Sequence, residues 1–182
     1  MKVIISVLGE DRPGIIAAVS AILADQDCNI ENVSQTILQN EFSGIFIASI
    51  PENLSAELLQ KFLRDGVEKM GLHVHVREMK HRKIFAASQS EPFVITTRGP
   101  DRKGLVSGIT AVMARHNVNV TNLQAVFKGG DNPNDNMMIY EVDIPMNIGQ
   151  QQLESELRQT ASDLGLHISI QHRNIFHALN RI

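Results

Sequence analysis

The sequence contains one pattern twice, and this repeat limits the folds open to the chain more than any other feature. Gly9-Glu10-Asp11-Arg12-Pro13-Gly14 returns 90 residues later as Gly99-Pro100-Asp101-Arg102-Lys103-Gly104. The same offset relates Asn29-Ile30-Glu31-Asn32 to Asn119-Val120-Thr121-Asn122. Solenoid repeats are shorter than about 50 residues, so a period of this length indicates a domain duplication. We therefore expect two related domains.

Each half of the chain has the hydrophobic pattern of strand, helix, strand, strand, helix, strand. Runs of β-branched residues such as 3–8 predict strands, and apolar residues three to four apart predict helices. The second helix of the first half is expected to bury Leu58, Leu59, Phe62 and Leu63 and to end at Gly71. This order is typical of the ferredoxin-like α+β fold, an antiparallel sheet with both helices on one face.

The repeat also predicts the domain boundaries. We expect a first domain at residues 1–80, a linker at 81–91, and a second domain with a short C-terminal tail at 92–182. The second copy is four residues longer, within a hairpin loop predicted at 128–136. The first strand is apolar on both faces, so its sheet needs a second cover, which the sister domain or another copy of the chain would supply. A homodimer is expected.

Composition argues against several classes of protein. The net charge is −3, aromatic residues are 4% of the chain and Trp is absent, so the clustered cations and stacking rings of nucleic-acid binding proteins are missing. The sequence shows no run of about 18 apolar residues and no signal peptide, so we expect neither a membrane segment nor export. The single cysteine, Cys28, fits a reducing compartment. We expect a cytoplasmic protein.

The repeated turn is a candidate binding site. Asp11 is a plausible helix N-cap, and Pro13 is expected in the first helical turn. Free N–H groups around Gly14 would carry the positive end of the helix dipole, which suits a carboxylate. The alternative is purely structural: Asp11 caps the helix and Gly9 makes the turn.

The second candidate segment is the repeated asparagine before the second strand. The side-chain amides of Asn29 and Asn119 can both donate and accept, so they could recognise an ammonium or a carboxylate group. The alternative is a turn role, because asparagine tolerates left-handed backbone conformations.

Gly, Asp-Arg-Pro-Gly and Ile-Ile after a short strand, followed by Asn-Ile-Glu-Asn, resemble the ACT domain. Two ACT units in one chain are similar to the glycine cleavage system transcriptional repressor group. The resemblance implies a non-catalytic regulator that binds a small amino acid, with glycine or serine favoured, and needs no cofactor. It also implies a regulated protein partner, either a transcription activator or a metabolic enzyme.

The resemblance places ligands between the first turn of one domain and the start of the second strand of a neighbour. It pairs 11–16 with 119–122 and 101–106 with 29–32. The implied ligand-binding residues are Asp11, Arg12, Gly14, Ile15, Asn29, Ile30, Asp101, Arg102, Gly104, Leu105, Asn119 and Val120. Lys103 replaces Pro13 in the second copy, so the two sites are not expected to be equal.

Two other function classes remain as alternatives. The chain could be a regulatory subunit of an amino-acid biosynthetic enzyme. It could also be a metal sensor, because His73 and His75 lie on one side of a predicted strand and His81, His172 and Cys28 could join them. The second copy has Ser169 where His75 would be, no Cys/His cluster has the spacing of metal ligands, and no catalytic arrangement is common to both copies. We therefore expect neither a metal site nor an enzyme.

Overall fold

A computed structural model of the chain describes residues 1–79, 89–127 and 136–174. It divides into two compact units, Met1–Arg82 and Lys83–Ile182. The predicted linker falls largely on residues outside this description, as do part of the hairpin loop, His81 and the C-terminal tail. No helix in the described ranges is long and apolar enough to cross a membrane.

The first unit has the predicted order of elements and an antiparallel sheet with strand order β2-β3-β1-β4. Its elements are β1 (Lys2–Glu10), α1 (Ile15–Asp25), β2 (Asn29–Leu38), β3 (Glu41–Ser49), α2 (Ala56–Val67) with a 3-10 turn at Glu68–Met70, and β4 (His73–Glu78). Ser55 caps α2 by accepting a hydrogen bond from the backbone N–H of Leu58 (3.2 Å). Gly71, with φ 69°, ends the 3-10 turn.

The second unit repeats this topology with strand order β6-β7-β5-β8. Its elements are β5 (Ser90–Gly99), α3 (Leu105–Arg115), β6 (Asn119–Phe127), β7 (Asn136–Pro145), α4 (Gln150–Asp163) and β8 (His167–His172). The ferredoxin-like fold predicted for each half is confirmed. Two strands begin inside segments that we predicted as linker and loop: β5 at Ser90, in the predicted linker, and β7 at Asn136, in the predicted hairpin loop.

Strand alternation places one face of each sheet against its helices. In β1 the side chains of Val3, Ile5 and Val7 are buried and belong to the core of the first unit. The prediction for α2 was wrong at one position, because Leu58 is 42% exposed. The buried side of α2 follows the spacing Ala56, Leu59, Leu63, Val67, and Leu58 lies outside that stripe.

The face of the first sheet opposite the helices is partly apolar. Leu8 and Ile45 are about half exposed there, and the histidines of β4 share this face because His73 pairs with Leu8 and His75 with Ser6. The edge strand β2 is exposed along its length except at Ile30, which is half-buried. These exposures agree with the expectation that the sheet needs a second cover, and the identity of that cover stays a prediction.

The core of the first unit requires a glycine in the middle of β3. A Cβ on Gly44 would lie 2.8 Å from the ring of Phe42 and 3.3 Å from the ring of Phe46. We expect Gly44→Ala to destabilise the protein by about 1–3 kcal/mol, because two buried rings have to shift. Urea denaturation measures the change. Ser43→Ala, on the opposite face of the same strand, is the control, and an equal effect of both substitutions would contradict this packing.

Candidate functional site

The two repeated turns begin their helices at a glycine in the left-handed conformation. Gly14 has φ 98° and Gly104 has φ 91°, and α1 and α3 start at the next residue. The N-cap role predicted for Asp11 was therefore wrong. Among the described residues no side chain caps either helix, because the N-cap positions fall on Gly14 and Gly104, three residues after the aspartates. Pro13 accordingly lies in the turn before the helix and not in its first turn.

Each turn presents backbone N–H groups without helical acceptors. The first helical hydrogen bonds run from the N–H of Ala18 to the carbonyl of Gly14 and from that of Gly108 to Gly104, both 2.9 Å. The three residues that directly follow each glycine have N–H groups with no partner four residues earlier in the helix. Both glycines are exposed, so these N–H groups and the positive ends of α1 and α3 favour a carboxylate there.

The first glycine of each motif has a packing role. Gly9 and Gly99 lie within their strands, so the proposed role of Gly9 in making the turn was wrong. A Cβ on Gly9 would lie 2.8 Å from Cδ2 of Leu72, and one on Gly99 would lie 2.8 Å from the backbone oxygen of Gly165. The repeat therefore preserves a contact between the first strand and the turn that follows the second helix.

The aspartate and arginine of the two motifs have different contacts. In the first turn the N–H of Asp11 donates to the carbonyl of Asn40 (2.7 Å), and Arg12 pairs with Glu10 (3.6 Å). In the second turn the carboxylate of Asp101 accepts a hydrogen bond from the side-chain amide of Asn136 (3.3 Å). Both aspartates and both arginines are exposed.

The apolar members of the predicted site hold the backbone in place. Ile15 and Leu105 are only 2% and 3% exposed, so their side chains are not available to a ligand. Ile30 and Val120 are half-buried and pack against the cores of their units.

Asn29 and Asn119 begin β2 and β6, and both are exposed. The left-handed residues near them are Asp27 and Asn117, with φ 54° and 55°. The turn role that we considered for Asn29 and Asn119 therefore belongs to the residues two positions earlier. Their side chains are accessible, in agreement with a ligand role, which stays a prediction.

Within one unit, the turn and the start of the second strand lie at opposite ends of the sheet. Asn29 pairs with Ser49, which pairs with Lys2 at the first residue of β1, whereas the turn follows Glu10 at its last residue. Nine residues of strand span roughly 26 Å at about 3.3 Å per step. A single small amino acid cannot contact both segments of one sheet.

The polar surroundings of the second-strand start also differ between units. In the first unit Glu31 accepts hydrogen bonds from the ammonium group of Lys2 (2.6 Å) and from the hydroxyl of Ser49. The hydrogen bond from Lys2, followed by that from Ser49, lowers the pKa of Glu31. In the second unit Asn122 instead donates to the carboxylate of Glu141 (2.9 Å).

Sequence reasoning missed Asn136, which is 5% exposed and contacts Asp101 across 35 residues of sequence. We placed it in a loop of turn-forming residues. A signal was nevertheless available in the repeat. The offset of 94 residues that relates Gly165 to Gly71 also aligns Asn136 with Phe42. A polar residue aligned with a core aromatic residue indicates a special environment.

The described residues include no group of three or more His, Cys, Asp or Glu side chains that could hold a metal ion. The ring of His172 packs edge-on against Phe93, with centroids 5.3 Å apart. Burial, followed by the charge of Asp27, raises the pKa of the Cys28 thiol. A raised pKa disfavours the thiolate that a nucleophilic or metal-binding cysteine needs.

The left-handed turn yields a stability prediction. We expect Gly14→Ala to cost about 1–2 kcal/mol, because nothing lies within 4 Å of the new Cβ and the cost comes from the backbone conformation alone. Gly14→Asn should cost less, since asparagine tolerates this region. Urea denaturation measures both. Gly149→Ala, at φ −71°, is the control and should cost less than Gly14→Ala, because only the preference for glycine at the start of α4 is lost there. A larger loss with Asn than with Ala at position 14 would contradict this account.

The ion pair at the start of β2 predicts a pH dependence. Because the pKa of Glu31 is lowered in the folded protein, its contribution to stability is present above its unfolded value near 4.5 and is lost as the pH falls through the folded value. Glu31→Gln should therefore destabilise the protein slightly at about pH 7 and less at about pH 3. Urea titrations at both pH values test this. Lys2→Met should remove most of the difference, and a pH-independent effect would contradict it.

The sequence profile of the ACT domain matches residues 2–77 and 91–171. A UPF0237 protein of Methanopyrus kandleri is 33% identical over 87 residues, which are 47% of this chain and 93% of the relative. The UPF0237 protein of Methanocaldococcus jannaschii is 38% identical over 85 residues, 46% of this chain and 91% of the relative. Each alignment spans about half of this chain.

Two solved structures match over nearly the whole chain. An unknown protein from Galdieria sulphuraria has a TM-score of 0.75 at 22% identity, covering 94% of this chain and 97% of its own. A protein named provisionally as a glycine cleavage system transcriptional repressor has a TM-score of 0.66 at 18% identity, covering 93% and 95%. At these identities the likeness is one of fold. Since the profile covers both units, the chain belongs to the ACT domain family.

Proposed function

We propose that this protein is a non-catalytic regulator that binds a small amino acid at its repeated turns and controls amino-acid metabolism through contact with another protein. The observation that carries the proposal is the pair of exposed helix starts, each with a left-handed glycine and no side-chain cap. An uncapped and exposed helix start in a folded domain leaves N–H groups available to an anion.

The chemistry near the turns favours an amino acid over a simple anion. The carboxylates of Asp11 and Asp101 lie three residues before the uncapped glycines and are exposed. A ligand with both a carboxylate and an ammonium group could therefore contact the N–H groups and an aspartate together. Glycine and serine are our preferred ligands, since a likeness of fold to a provisional glycine cleavage system repressor supports a small amino acid.

Regulation would proceed through protein contact. The net charge of −3 argues against direct operator binding, so control of transcription would require a protein such as an activator. The exposed apolar side chains of Leu8 and Ile45 provide a surface on the open face of the first sheet. A second copy of the chain that covers this face would give the homodimer that we propose. We also propose that the protein is located in the cytoplasm.

Ligand binding can change such a contact only if the ligand has different affinities for two arrangements of the protein. Coupling of about 1–3 kcal/mol between ligand and partner is typical of allosteric proteins. This corresponds to a change in partner affinity of roughly 5- to 150-fold. A regulatory subunit of a biosynthetic enzyme would use the same mechanism with a different partner, and pull-down with an activator or with a synthase separates the two.

Calorimetry tests the proposal. Purified protein is titrated with glycine and with L-serine, and we expect saturable binding of at least one of them at up to millimolar concentration. The double variant Asp11→Ala/Asp101→Ala should weaken binding at least about tenfold, because an ammonium group loses its charged partner. Asp25→Ala/Asp163→Ala removes the same charge from exposed positions at the ends of α1 and α4 and should bind as the unmodified protein does.

Two results would overturn the proposal. One is the absence of binding to either amino acid by the unmodified protein; binding of nickel or zinc in its place would support the metal sensor. The other is unchanged affinity in the Asp11→Ala/Asp101→Ala variant, which would place the amino-acid site elsewhere.

A further inference from the structure

We propose that the turn of the second unit is the specific amino-acid site, and that the buried side-chain oxygen of Asn136 receives a hydrogen bond from the ligand's ammonium group. This inference rests on the proposed function and extends it, because it assigns recognition to one unit and to one residue. The two turns share a backbone conformation, so the difference has to come from the side chains behind them.

The primary observation is an incomplete set of hydrogen bonds. The amide nitrogen of Asn136 donates to the carboxylate of Asp101, while its Oδ1 is buried and has no hydrogen-bond partner among the described residues. Asn136 is 5% exposed. A buried amide oxygen without a donor is costly, and native structures retain few such groups. A ligand that supplies the missing donor would recover this cost.

The first unit lacks this polar environment. On the buried face behind the turn, the second unit has Thr97, Asn136 and Tyr140 where the matching strand positions of the first unit have Val7, Phe42 and Phe46. Thr97 and Asn136 are the buried residues of polar type in the described part of the chain. All three replacements change an apolar side chain into one that can form hydrogen bonds.

Packing explains how the two units fill the same space differently. In the first unit the ring of Phe42 lies over Gly44, and a Cβ there would be 2.8 Å from the ring. In the second unit the residue that matches Gly44 is Met138, whose sulfur accepts a hydrogen bond from the hydroxyl of Tyr140 (3.3 Å). The strand position that carries a phenyl ring in the first unit, at Phe42, therefore carries a polar side chain in the second, at Asn136.

The arrangement selects a ligand of a particular class. The uncapped start of α3, at Leu105, suits a carboxylate, and Asp101 and the Oδ1 of Asn136 both require donors. A primary ammonium group has three donors and can serve both acceptors. The hydrogen bond between Asn136 and Asp101 is slightly longer than usual, and Asp101 is exposed, so this aspartate can turn toward a ligand. A small α-amino acid carries both groups.

The experiment compares Asn136→Leu with Asn147→Leu by calorimetry against glycine and L-serine. Asn147 is an exposed asparagine beyond the other end of β7, so it receives the same substitution outside the site. We expect about one tight site per chain and a loss of affinity of at least about tenfold in Asn136→Leu alone. Thermal denaturation should show that Asn136→Leu remains folded, since leucine removes an unpaired polar group.

A second measurement uses the unmodified protein and does not depend on the folding of a variant. N,N,N-trimethylglycine keeps both charges of glycine but has no N–H donor. If Asn136 requires a donor, this compound should bind at least about tenfold more weakly than glycine.

The outcomes separate this inference from the proposed function. Equal binding of glycine and trimethylglycine, affinity within about twofold in Asn136→Leu, or two equal sites per chain would overturn the inference while amino-acid binding stands. If the unmodified protein binds neither glycine nor L-serine, the proposed function fails and the role of Asn136 fails with it.

Discussion

Each unit depends on a close contact between the end of its first strand and the turn after its second helix. A Cβ on Gly9 would lie 3.2 Å from the backbone oxygen of Gly71, and one on Gly99 would lie 2.8 Å from that of Gly165. A backbone oxygen lies close at both positions, beside the leucine side chain that follows it, so a side-chain movement alone would not make room for a Cβ. This contact fixes the end of the strand, and the left-handed glycine five residues later directs the chain into the helix.

The repeated motif therefore has two physical roles that the sequence does not separate. Its glycines are required by the fold, and their repetition alone gives no support to a ligand site. The same glycines nevertheless leave each helix start uncapped and exposed, which is the property that an anion site needs. The binding proposal consequently rests on the exposed N–H groups and on the side chains around them, and these differ between the two copies.

The fold was predictable because strands and helices with one buried face produce regular hydrophobic periods, and the duplication presented each period twice. The helix starts were less predictable. Aspartate is a common N-cap residue, but the helix begins after Gly14, which is in the left-handed conformation, and not after Asp11. The site was the least predictable part. Asn136 meets Asp101 only after β5 and β7 have paired, and no local pattern records a contact over that distance.

Nuclear magnetic resonance of the isotope-labelled protein with added glycine tests the central claim most directly, because it reports on individual backbone N–H groups. If a carboxylate binds at the uncapped helix start, the largest chemical-shift changes should occur at the N–H groups of Leu105, Val106 and Ser107, with smaller changes at the start of α1. Changes confined to β4 around His73 and His75, or none at either helix start, would contradict the account.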